Sequence, residues 1–161
     1  MTTEIRYRHP GSAHRFGSDE MVTGSFMNPE IEIVRRMTEK FSGIHPGYGI
    51  FSTNYRLFGV DYKKLSVLKG YCRDEGMLTP EILDRFKDFE ILKEDIKKIV
   101  MVRPDGKLST LKWKYVQIFL FGGKVIEIAI ATQKSFERMH DMLNNFLPEA
   151  VYISDTRVLT N

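Results

Sequence analysis

A single cysteine in 161 residues, Cys72, leaves nothing for an internal disulfide to pair with. No apolar run approaches the roughly 20 residues of a spanning helix, so the sequence predicts no transmembrane segment. A large excess of one charge is also missing: 24 Lys and Arg stand against 21 Asp and Glu, for a formal +3. Domains that live on nucleic-acid phosphate usually carry concentrated basic stripes, which so small a total does not supply. No secretory pattern opens the chain, and the expected location is the cytoplasm. Gly43, Gly47 and Gly49 have no following helix with Lys-Ser or Lys-Thr, so no phosphate-cradling loop is present. His9 and His14 lie on an irregular stretch with no spacing that completes a metal site. Internal repeats and low-complexity tracts are absent as well.

What is there is ordinary for one folded domain: 42% hydrophobic and 28% charged residues. A chain of this length buries roughly 70% of its unfolded surface and needs no disulfide or metal staple. Residues 1–29 are rich in Gly, Ser, Thr, His and Arg, and predict a polar N-terminal arm ahead of a domain at 30–161. Residues 30–41 fit either a strand or a short helix, and 42–49 read as a loop because Gly43, Pro46, Gly47 and Gly49 preclude regular structure. Ile50–Thr53 and Arg56–Tyr62 are β-prone, with Asn54 suited to a positive φ at the turn between them.

The stretch 63–89 breaks this pattern and predicts an insertion. Within it "TPEILDRF" has the marks of a helix start: Thr79 as cap, Pro80 at the first helical position, Glu81 in the first turn. Strand-like residues return at 89–102, and Arg103–Lys107 reads as a turn. The strongest β signal is Trp113–Phe121 and Lys124–Ala131 around Gly122-Gly123, which predicts a hairpin with a two-residue loop. That register places Val116, Ile118, Leu120 and Val125 in an outward apolar row, needing cover from the insertion, the arm or a second copy. A helix follows, capped by Thr132 and stopped by Pro148, with Phe136, Met139, Leu143, Phe146 and Leu147 on one stripe. Residues 151–159 predict one more extended segment.

Four pieces in this order resemble a known family. "GIFSTNYRLFGVD" is similar to the Thr-Asn-turn hairpin of GRAM and bacterial or archaeal PH-like domains, through Thr53, Asn54, Arg56, Leu57 and Phe58. "KEDIKKIVMV", with Ile96 and Ile99, resembles their next strand. "VQIFLFGGKVIEIAI" resembles their following hairpin, and "SFERMHDMLNNFLP" their closing helix. The resemblance spans about 33–148. It implies a mostly-β fold: a bent seven-stranded PH-like sandwich or barrel of antiparallel strands, capped by one C-terminal helix and free of enzyme activity. The insertion at 63–89 departs from the family pattern and puts any binding site beside it in doubt.

Candidate sites follow from charge and exposure. The loop where PH-like domains hold phosphoinositides is "SGIHPGYG" here, with His45 and no permanent cation to grip a phosphate. A basic stretch holding Arg56, Lys63, Lys64, Lys69 and Arg73 against Asp61 has net +4, as does the stretch 93–114. At ~1 kcal/mol per cation on an anionic membrane, ~4 kcal/mol gives only roughly millimolar affinity. Tyr62, Tyr71, Trp113 and Tyr115 near lysines could stack bases, although strand aromatics are more often core. Cys72 beside Arg73 has no histidine placed to serve it as base, and reads as a plain surface thiol.

The expectation is therefore a binding module without catalytic residues, cofactor or metal. It would bind a protein partner or self-associate through Val116, Ile118, Leu120 and Val125. The alternative is peripheral contact with anionic lipid through Arg56, Lys63, Lys64 and Lys69, with nucleic acid a lesser one.

Overall fold

The computed structural model describes residues 19–26, 31–36, 48–75, 78–103, 114–130 and 132–158. Among the described residues nine strands form two sheets. The first contains β1 (Val22–Phe26), β3 (Tyr48–Thr53), β4 (Arg56–Asp61) and β5 (Phe89–Leu92), hydrogen-bonded in that order. The second runs β2 (Ile31–Arg36), β8 (Val125–Ile130), β7 (Lys114–Leu120), β6 (Ile96–Val102), β9 (Val151–Ser154). All pairings are antiparallel except β6 with β9. The fold is mostly β, as expected: a two-sheet sandwich, not a closed barrel, with a C-terminal helix.

The main core lies between the sheets. Ile50, Leu57 and Ile91 face Ile99, Met101, Val116, Ile118, Ile126 and Ile128, all buried. The helix α3 (Gln133–Phe146) packs across β1, β3 and β8 and seals this core. Its 3.6-residue stripe puts Phe136, Met139, Leu143 and Phe146 inside, as the sequence predicts. Thr132 caps it by accepting from the Ser135 N–H at 3.1 Å. Four such side chains together contribute about 6–12 kcal/mol of burial.

A second, smaller core lies on the other side of the first sheet. Phe51, Phe58 and Val60 point away from the sandwich and meet Leu65, Leu68, Ile82 and Leu83. Those last four come from the insertion, which holds α1 (Leu65–Glu75) and α2 (Pro80–Phe86). The start of α2 is as expected, with Thr79 accepting from the Ile82 N–H and Pro80 in the first turn. Cys72 lies on the helix α1, and its side chain lies outside the described residues. Covering both faces explains why β4 is buried along almost its whole length. Within it Gly59 lies under the Phe89 ring, where a Cβ would come within 2.1 Å.

Three expectations are corrected. The arm at 1–29 is not all arm: Val22–Phe26 is the edge strand β1, and Phe26 is core, paired with Ile50. Asn54 has no positive φ, because its side chain does other work. The β7–β8 register also differs by one residue: Ile118 opposes Ile126, Val116 opposes Ile128, and Gln117 opposes Glu127.

The cause of that slip is the loop. Leu120 and Lys124 close a three-residue connection, Phe121-Gly122-Gly123, in which only Gly123 is left-handed, at φ +89°. A one-residue slip exchanges every cross-strand partner. Val116, Ile118 and Leu120 consequently sit in the main core with the isoleucines of β8, and Val125 is buried on the opposite face. The four do not form an exposed row. The turn expected at 103–107 and Trp113 fall mostly or wholly outside the described residues, as does the expected loop 42–49 up to residue 47. The last two residues of that loop, Tyr48 and Gly49, instead open strand β3, where Gly49 pairs with Val60.

Candidate functional site

The "TNYR" turn, residues 53–56, joins β3 to β4. Its four residues all face the segment 19–21 that leads into β1. Thr53 Oγ1 accepts from the Tyr55 and Arg56 N–H groups and donates to Glu20 Oε2 at 2.8 Å. Asn54 Oδ1 accepts from the Met21 N–H at 2.9 Å, while its Nδ2 donates to the Asp19 carbonyl at 2.9 Å. Tyr55 donates its O–H to the Asp19 carboxylate. That hydrogen bond, with burial and the neighbouring acidic charges behind it, raises the phenol above its ordinary pKa.

Arg56 is the centre of the arrangement and is 0% exposed. Its Nε and Nη2 donate to the two oxygens of Glu20 at 2.7 and 3.0 Å, and its Nη1 and Nη2 to the two of Asp84 at 3.1 and 3.0 Å. Glu90 lies 3.4 Å away, and Lys87 joins Asp84 at 2.7 Å and also Glu90. The guanidinium stacks 4.4 Å from the Phe58 ring centroid. Burial pulls its pKa down, but the hydrogen bonds and charges of Glu20 and Asp84 outweigh this and hold it above the ordinary value. Arg56 thus ties β4 to the N-terminal segment, to α2 and to β5. It is not a surface cation.

Of the other residues expected on an anionic-ligand surface, Lys64 pairs with Asp88 at 2.9 Å and donates to the Phe86 carbonyl. Lys63 and Lys69 are exposed, as are Tyr62 and Val67 in the same stretch of chain. His9, His14 and His45 lie outside the described residues. No group of three or more His, Cys, Asp or Glu among the described residues is arranged to hold a metal ion. No helix among them is long and apolar enough to cross a membrane.

A second polar arrangement went unnoticed in the sequence. On the outer face of β7 and β8, Gln117 and Glu127 oppose each other, both 0% exposed, and Gln117 Nε2 donates to Glu127 Oε2 at 3.0 Å. After β9 the chain turns at Asp155-Thr156, where Ser154 Oγ bonds both the N–H and the C=O of Thr156. It then crosses this face. Arg157 reaches both oxygens of Glu127, with Nε at 2.6 Å, and its guanidinium lies 4.0 Å from the Tyr115 ring centroid. The hydrogen bonds to Glu127 raise the Arg157 pKa against a smaller opposing effect of burial. Gln117 then grips the next residue by its backbone, donating to the Val158 C=O at 2.7 Å and accepting from its N–H at 3.1 Å.

The signal for this pair was present. Gln117 and Glu127 are the only strongly polar residues in their apolar runs, 116–121 and 125–131, and share a face only if the hairpin loop has three residues. The sequence matches no protein-family model and no curated protein. The geometry of these two arrangements is therefore what a functional reading has to rest on.

Proposed function

We propose that this chain is a non-catalytic binding module of the PH-like kind, whose ligand is an extended stretch of protein laid over the outer face of β7 and β8. The resemblance in the strand and helix order supports the first part, with the helical insertion and the strand β1 as departures. The observation that carries the second is Gln117. Its carboxamide forms both a donor and an acceptor bond to one backbone unit, at Val158, as a neighbouring strand would. A side chain used in this way reads an extended backbone whatever its sequence.

The test uses a full chain with Arg157→Ser, in which the hold of the tail is weakened. Panning a phage-displayed random peptide library against it should enrich binders, and adding Gln117→Leu should abolish their binding. An empty selection, or binders indifferent to Gln117→Leu in a chain that still melts cooperatively, would remove this reading.

The second reading, contact with an anionic surface, is favoured by Tyr62 and Val67 standing exposed beside Lys63 and Lys69. Exposed apolar side chains together with cations are what a peripheral helix presents to a headgroup layer. Two exposed lysines contribute only about 2 kcal/mol there.

A further inference from the structure

Resting on the segment-binding reading, we infer that the site selects an arginine-bearing segment of a partner polypeptide, and that residues 157–158 are its built-in competitor. The selectivity comes from three groups around one guanidinium. Glu127 offers both carboxylate oxygens from a position with no solvent exposure, and Arg157 approaches with Nε and a terminal nitrogen together. Tyr115 supplies a ring face at 4.0 Å. A planar, forked, weakly hydrated cation suits both features, whereas a lysine ammonium brings one point charge and cannot stack in the same way.

One residue later the recognition changes character. Gln117 holds the Val158 backbone, while the Val158 side chain remains 40% exposed and selects little. The recognised unit is thus an arginine followed by any residue in extended conformation. A partner segment can add contacts beyond that point.

Mass action decides the source of the segment. A tail tethered by the short turn at 155–156 is present at its own site at an effective concentration on the order of millimolar. The same tail from a second copy makes the same contacts, so it loses to the tethered one at lower concentrations. A partner segment with additional contacts is the occupant able to displace it. Weakening the tail should then open the site.

The probe is a fluorescein-labelled octapeptide copying residues 154–161, Ser-Asp-Thr-Arg-Val-Leu-Thr-Asn, with versions carrying Lys or Gln in place of Arg. Anisotropy is read on the unsubstituted full chain and on Arg157→Gln. The expected result is at least tenfold tighter binding of the Arg peptide to Arg157→Gln than to the unsubstituted chain. The Arg peptide should also bind at least tenfold tighter than its Lys and Gln versions, a preference that Glu127→Gln removes. If Arg157→Gln does not fold, Val158→Pro loosens the tail at Gln117 instead, leaving Glu127 untouched.

Binding that is blind to the arginine, or equal in the two chains, overturns this inference and leaves the segment-binding reading standing. Failure of every peptide to bind the loosened chain sinks both. Sedimentation of the unsubstituted chain should show a monomer. A dimer that Arg157→Gln dissociates would assign the site to a second copy and overturn the choice of a partner polypeptide.

Discussion

Arg56 shows how much one side chain can be made to hold. Two bidentate pairs, a third carboxylate and an aromatic face surround it, in a place that solvent does not reach. Its contribution is best read from what its loss leaves behind. Without the guanidinium, Glu20 remains buried with its principal cation gone, while Glu90 keeps Lys87; stranding one buried charge in this way typically costs about 3–5 kcal/mol. Arg56→Met is expected to lower the unfolding free energy by that amount, read as a lower urea midpoint with the slope unchanged. Arg56→Lys should recover only part, because an ammonium cannot serve two carboxylate forks at once. A loss below about 1 kcal/mol for Arg56→Met would mean that the network stabilises little. Gln117 and Glu127 make the same point on the other sheet: two polar residues in an apolar hairpin hold the chain that crosses them.

The β7–β8 hairpin shows what a single loop residue decides. A two-residue Gly-Gly turn of the favoured hairpin type needs a left-handed conformation at both positions, whereas the observed three-residue loop needs it only at Gly123. Gly123→Ala should therefore cost about 1–2 kcal/mol. Gly122→Ala, with open space around the added methyl, should stay within about 0.5 kcal/mol. Thermal or urea unfolding of the two variants compares them directly; equal losses would argue for the two-residue turn and the other register. The stakes are large for so small a difference. In the observed register isoleucine meets isoleucine inside and glutamine meets glutamate outside, while the two-residue turn would oppose Ile118 to Glu127.

The molecule taken whole is a sandwich with two cores, the second made by α1 and α2 against the back of the first sheet. That insertion also carries the exposed Lys63, Val67 and Lys69, with exposed Tyr62 just ahead of it. Of the four cations expected on an anionic surface, Arg56 is buried and Lys64 is bound to Asp88, which leaves Lys63 and Lys69. About 2 kcal/mol corresponds to a dissociation constant of about 30 mM. Flotation with vesicles rich in phosphatidylserine is accordingly expected to bring up little protein at physiological salt, and somewhat more at low salt. Salt-resistant flotation abolished by Val67→Asp would reverse this and make the insertion a membrane-docking element.

Local patterns made much of the fold legible. The stripe of α3, the caps at Thr132 and Thr79 and the alternation of most strands depend on neighbours within a few residues, and there the expectation and the fold agree. Interactions between distant parts of the chain were not legible in this way. Arg56 reads as a surface cation until Glu20, Asp84 and Glu90 arrive from 36, 28 and 34 residues away. The two-residue turn puts Gln117 and Glu127 on opposite faces; only the folded hairpin pairs them, and Arg157 and Val158 reach them from 30 and 41 residues away. Charges and amides act on whatever lies within a few ångströms in space. Chain folding alone sets which residues those are, whereas a helix or strand period is written in consecutive residues.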